Sequence, residues 1–233
     1  MAPSTEHRLE LDHLVIGADS LAQGLRWCEV RLGVTPGPGG QHPTMGTHNR
    51  LLSIASTAFP NAYLEIIAID PEAPPPSRVR WFGLDEPGLR ARLTDEPRLL
   101  HVVLRTAPGV GALDALRAEL AAASLDIGVP TALQRDTADG PLRWRVTVRD
   151  DGRLLCGGAL PSLIEWDGRH PAQKMPASKL RLQSLTLAGL PAAVATRLSV
   201  PGLRFVADAD SAGFSALQAV FATPAGVATL ESD

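Results

Sequence analysis

The chain has 233 residues, 45% of them hydrophobic and 20% charged, with a formal net charge of -3. That length buries a substantial core, and a mildly acidic chain gives no reason to expect a polyanionic partner, so nucleic acid is set aside as a ligand. No run approaches the roughly 18 apolar residues of a membrane span, and Met1–Glu10 lacks an apolar stretch after a basic region. No membrane association is expected, and the cytoplasm is the expected location.

The prolines and glycines cluster in Thr35–Gly40, Pro71–Pro76, Glu86–Gly88 and Arg169–Pro176, which read as connections between elements. They separate a first module over 9–70, a linker over 71–97, a second module over 98–172 and a third, degenerate βαββ module over 179–233. Each module opens with an apolar strand-like run: LDHLVIG from Leu11, LLHVVLR from Leu99 and LQSLTLA from Leu182.

In the first module Asp19 or Ser20 caps a helix that carries Leu21, Leu25, Cys28 and Leu32 on one face, with Gly33 as its stop. Strands follow over Leu51–Ser56 and Ala62–Ile69. Pro71–Pro76 reads as a stiff linker, with Trp81 and Phe82 anchoring the next segment against the core. In the second module Leu113, Leu116 and Leu120 mark a helix, and Gly128 lies beyond its end. Arg143–Arg149 and Leu160–Trp166 are strands. Leu142, Trp144, Val146 and Val148 alternate with polar residues, so one face is buried. Asp150-Asp151-Gly152 is a hairpin turn signal. The third module is weaker: Val194 and Leu198 suggest a helix, Gly226–Glu231 a strand, and Ser215–Thr223 a strand whose first half is also compatible with a helix. The repeated unit is β-α followed by two or three β, an α+β protein of paired modules rather than a solenoid.

Two cysteines, Cys28 and Cys156, are too few for a disulfide scaffold and lie in no CxxC pair, so reduced thiols are expected. No GxGxxG follows a strand, and neither a GxxxxGK[ST] loop nor a GxSxG elbow is present. What remains is a coincidence. His13 and His101 are each third in their opening strands. Glu65 in AYLEIIA and Glu165 in SLIEWDG each sit late in the last strand among apolar neighbours, where an unpaired carboxylate is costly. A pseudo-twofold pairing brings His13, Glu65, His101 and Glu165 to one centre. Two imidazoles and two carboxylates suit a divalent first-row ion (Zn, Fe, Mn, Ni or Co) and leave two cis positions open. In the Gly-rich lead-in to a strand, His42, Thr47, His48 and Asn49 either reach over that centre to hold a substrate's polar groups or form a turn that hydrogen-bonds itself, with His48 and Asn49 the preferred substrate contacts. Arg143 or Arg145 pairs with an anionic substrate or lies on a solvated face. Trp166 points away from Glu165 and serves packing, and His170 is a turn residue. The third module has Ser184 in place of the His, while Glu231 keeps the carboxylate position. Its unpaired edge packs on the other modules or pairs with a second copy, which makes a homodimer the expected assembly.

The runs LDHLVIGADSLAQGLRWCEVRLG, GGQHPTMGTHNRLLSI and YLEIIAID, with the later LPSLIEWDGRHPA, resemble the vicinal oxygen chelate superfamily in its glyoxalase-like branch. The resemblance covers Leu11 to about Ala172. It implies paired βαβββ modules forming a cupped mixed sheet around a metal held by first and last strands, here His13, Glu65, His101 and Glu165. It implies a small-molecule ligand and one of two roles. One is a metal-dependent lyase, isomerase or dioxygenase in which Glu65 or Glu165 detaches as general base. The other is a metal-free protein that binds or sequesters a small molecule.

Overall fold

The structure, a computed structural model, describes residues 9–106, 111–137, 140–195, 197–198, 200–207 and 213–232. The first unit runs β1 (Leu9–Gly17), α1 (Leu21–Leu32), β2 (Gln41–His42), β3 (Thr47–Ser53) and β4 (Tyr63–Ile69). The helix α2 (Pro87–Asp95) interrupts the segment expected to be a linker. The second unit runs β5 (Arg98–Thr106), α3 (Ala112–Ala122), β6 (Val129–Arg135), β7 (Leu142–Val148) and β8 (Ser162–Asp167).

Local sequence explains α1. Ser20 accepts from the Gln23 backbone N–H, and Gly33 closes the helix at φ 68° with its N–H on Glu29 O. Gly24 lets the helix lie on β4, since a Cβ there would overlap Ile66 Cγ2. In α3 the buried residues are Leu113, Leu116 and Leu120, the stripe read from the sequence.

The eight strands of these units form one sheet in the order β2-β3-β4-β1-β5-β8-β7-β6. The order is symmetric about the β1–β5 junction: β1 is parallel to β4, β5 is parallel to β8, and β1 is antiparallel to β5. This is the mixed α+β cupped sheet expected of paired modules. Alternate strand residues separate two cores. Leu14, Ile16, Leu64, Ile66, Val102 and Leu104 face the helices, while Val15, Ile67, Val103, Val146 and Ile164 face into the cup with Trp81 and Phe82.

The third unit departs from the repeat. Its strands β9 (Arg181–Leu190), β10 (Leu203–Ala207), β11 (Leu217–Thr223) and β12 (Gly226–Glu231), with the short α4 (Ala192–Ala195), form a separate sheet in the order β10-β9-β11-β12. Its opening strand is interior and its last strand β12 pairs with β11 alone, so β12 does not take the place of β4 or β8. Glu231 therefore does not keep the carboxylate position assigned to it from sequence. Gln218 Nε2 donates to its Oε1 at 2.6 Å, and Ser184 is exposed. Leu182, Leu185, Leu187, Leu217 and Phe221 join the helix-side core, so this sheet packs onto the outer face of the paired modules. The Asp150–Gly152 turn forms, with Gly152 N–H on Arg149 O, but it begins a longer excursion through a 3-10 turn at Cys156–Gly158 before β8.

Candidate functional site

A bulge in β1 sets the site. Across the β1–β5 pair Leu11 faces Leu104 and His13 faces Val103, so Asp12 has no opposite number. Its carboxylate is fully buried and accepts from His13 Nδ1 at 2.7 Å, Trp166 Nε1 at 2.9 Å and His170 Nε2 at 3.0 Å. On its other side the His13 ring presents Nε2 to Glu65 Oε2 at 3.4 Å. Asn49 Nδ2 donates to Glu65 Oε1 at 2.6 Å, and Asn49 Oδ1 accepts from Gly40 N–H at 2.8 Å and from Arg135 Nη1 at 3.4 Å. His42 closes the network, with Nδ1 3.1 Å from Thr47 Oγ1.

Burial alone would hold His13 neutral. Hydrogen bonds and charge from Asp12 and then Glu65 outweigh that and raise its pKa to about 9. Burial likewise opposes ionisation of Glu65, but the His13 hydrogen bond and charge depress its pKa to about 2, and Asp12 is driven well below the carboxylate range in the same way. At neutral pH the half-site is an imidazolium between two carboxylates. His42, desolvated without a carboxylate bond of its own, is pushed down to about 4 and stays neutral.

The second module holds a different half-site. His13 faces Val103 and Val15 faces His101, so the twofold exchange of strands maps His13 onto His101. The second bulge skips Leu100, the mate of Asp12. Val15 faces Glu65, and in the mate pair Val103 faces Ser162, so the mate of Glu65 is Ser162. Both carboxylates are thus replaced. His101 Nδ1 points at Gly158 O at 2.9 Å, while Nε2 lies 2.9 Å from Ser162 Oγ and accepts the Ser162 backbone N–H at 3.1 Å. Burial lowers its pKa to about 4.

Between the half-sites stands a wedge. Trp81 and Phe82 are 5% and 6% exposed and stacked with centroids 5.1 Å apart. Trp81 lies against His42 at 5.0 Å and Phe82 against His101 at 5.4 Å. Phe82 adopts φ 58°, a conformation that a bulky residue holds only under constraint. The wedge walls two small cavities, one lined by His13, Asn49, Tyr63, Glu65, Trp144 and Trp166, the other by His101, Thr147 and Ser162.

Of the residues singled out from sequence, the fold brings His13, His42, Thr47, Asn49 and Glu65 together. It leaves His101 across the wedge. Glu165 faces the opposite side of β8 from the cup, 3.8 Å from Arg145, because its position differs by an odd number of residues from that of Ser162. Arg143 is exposed on that outer face, and His48 points away from Asn49 with Nδ1 3.7 Å from Asp70. Trp166 does point away from Glu165, but into the cup rather than into packing alone. His170 is more than a turn residue, through its bond to Asp12. Sequence reading missed Asp12 and Arg135; the adjacency of Asp12 to His13 was the available signal for the first.

A divalent metal is not suited by these donors. His101 Nε2 already accepts an N–H and lies across the wedge from His13, and Glu165 is on the opposite face of β8, so the four residues do not converge on one point. Among the described residues no group of three or more His, Cys, Asp or Glu is placed to hold a metal ion.

A sequence profile of the glyoxalase-like domain matches residues 11–200. No curated protein matches the chain. Among solved structures, a hypothetical protein from Staphylococcus aureus is similar at 17% identity and TM-score 0.53, covering 77% of this chain and 69% of that one. Methylmalonyl-CoA epimerase from Mycobacterium tuberculosis aligns at 18% identity and TM-score 0.40, over 71% of this chain and 91% of its own. The profile match, over most of the chain and on a sheet of two twofold-related modules, places this protein in the glyoxalase-like domain family of the vicinal oxygen chelate superfamily.

Proposed function

We propose that the protein binds a small organic molecule at the first-module half of the cup, and does so without a divalent metal. The observation that carries this reading is the buried Asp12–His13–Glu65 network, in which each ring nitrogen of His13 faces a carboxylate and Asn49 holds the other oxygen of Glu65. Around it stand Tyr63, Trp81, Trp144 and Trp166, the apolar walls with few polar groups that small-molecule sites use. Trp81 Nε1 is buried with no hydrogen-bond partner, a donor suited to a ligand oxygen. The cup encloses about 40 Å³ of open space, while a cleft of about 720 Å³ shares Leu51 and Arg135 with it. The body of the ligand fits the cleft, and its polar end reaches toward the cup.

Proton transfer is the weaker role for this half-site. A carboxylate held near 2 is a poor base at neutral pH, and general acid–base catalysis favours groups that titrate near the working pH. The test is metal analysis of purified protein together with ligand binding before and after chelation, with His13→Ala and Glu65→Ala as controls. Unchanged binding after chelation, lost in both variants, supports the reading. A stoichiometric divalent ion that both variants release overturns it and restores the metal-dependent lyase, isomerase or dioxygenase alternative.

A further inference from the structure

The cleft beside the cup carries a charge opposite to that of the chain. Among the described residues its lining contributes Arg135 and Lys179, then Arg169 and Lys174, which have interactions of their own, and the acid Asp136, in a protein whose formal net charge is -3. Its lining also includes the apolar Leu51, Leu52, Leu142 and Met175. A concave site with low-dielectric walls and one sign of charge concentrates ligands of the other sign.

Arg135 is placed where cleft and cup meet, lining both. The backbone leaves room for it: a Cβ on Gly40 would lie 2.5 Å from Arg135 Nη1, and a Cβ on Gly39 would overlap the Asn49 carbonyl. The Gly39-Gly40 pair therefore clears a path for the guanidinium and closes the loop onto Asn49. Through Asn49, which accepts from Arg135 and donates to Glu65, a charge bound at Arg135 is connected by two hydrogen bonds to the His13 network.

We infer that the ligand is an organic anion with an apolar body, its carboxylate or phosphate held at Arg135 with Arg169, Lys174 and Lys179 around it, and its apolar part against the apolar residues that line the cleft. A planar guanidinium binds either oxyanion through paired N–H groups, so the two headgroups are separated by experiment. The inference rests on the proposal that cup and cleft form the ligand site.

The test is calorimetric titration of the intact protein with naphthalene-2-carboxylate, 2-naphthyl phosphate and the neutral naphthalene-2-carboxamide, at low and high salt. At least one anion is expected to bind roughly tenfold or more tighter than the carboxamide, with the advantage shrinking at high salt. Arg135→Gln is expected to bring the anion to within about threefold of the carboxamide while an unchanged thermal transition shows that the variant folds. Arg149→Gln, a change of the same charge outside the cleft, is expected to leave the preference intact. Equal binding of all three probes, or an anion preference that survives Arg135→Gln, overturns the anion inference and leaves the small-molecule site standing. Binding of none of the three at millimolar concentration overturns both.

Discussion

Replacing Asp12 by Asn tests the centre of the buried network with a change of one atom. The carboxylate takes three donors, from His13, Trp166 and His170, and it is fully buried. Asn keeps one oxygen for one or two of them and turns an N–H₂ group toward a donor that then has no acceptor. Hydrogen bonds to a charged group are worth about 1.5–3 kcal/mol each, and breaking one partner of a buried ion pair costs about 3–5 kcal/mol. The donors overlap in what they stabilise, so about 3–5 kcal/mol is expected for the variant, a large share of a total that is typically about 5–15 kcal/mol. The assay is urea denaturation at pH 6, followed by Trp fluorescence, alongside an NMR titration of the His13 ring. The midpoint is expected to fall and the His13 pKa to drop from its raised value, because its leading favourable partner is gone. A loss below about 1 kcal/mol, or a His13 titration that does not move, would refute the assignment of Asp12 as the anchor.

The pH dependence of stability follows from the same pair. His13 is raised from 6.5 to about 9, so its contribution is complete below pH 6.5 and is lost as the pH climbs through 9, on a scale of about 3 kcal/mol. Glu65 is depressed from 4.5 to about 2, so its contribution is complete above pH 4.5 and is lost as the pH falls through 2. His42 and His101, both lowered from 6.5 to about 4, oppose folding as the pH falls from 6.5 through 4. Chemical denaturation across pH 3–10 is therefore expected to show stability rising from acid to a maximum at about pH 6.5 and falling toward 9, and a curve still rising toward pH 9 contradicts the raised His13. Glu65→Ala strands a buried imidazolium and is expected to cost about 3 kcal/mol or more. Glu165→Ala removes a longer contact to a partly exposed Arg145 and is expected to change stability by less than about 1 kcal/mol; equal effects in urea titrations would contradict the two placements. Phe82→Ala empties half of the wedge and is expected to cost about 3 kcal/mol while exposing Trp81 to acrylamide quenching; unchanged quenching counts against a wall of two rings.

The equivalence of His13 and His101 was legible because both are third in matching apolar runs, and strand register confirms it residue for residue. The caps of α1 were legible because Ser20 and Gly33 act within a single turn. The carboxylates were not. Glu165 was chosen because apolar residues flank it, but which face it takes depends on where β8 pairs with β5, and that register puts Ser162 opposite Val103. Bulges at Asp12 and Leu100 leave no mark in hydrophobic periodicity, although the first aims a charge at the imidazole. The third unit misled for a related reason: its opening strand and terminal carboxylate match the repeat locally, while its sheet order is set by long-range pairing.

The wedge of Trp81 and Phe82 also has an electrical meaning. On one side an imidazolium is held by two carboxylates; on the other its symmetry mate is neutral, and the charge of His13 itself works against protonating His101. Two aromatic rings thus stand between a charged imidazole and a neutral one across what is, in backbone terms, a twofold axis. A molecule with two different ends lying across the wedge would meet different surroundings at each, so its two orientations would differ in energy even though the sheet beneath is nearly symmetric.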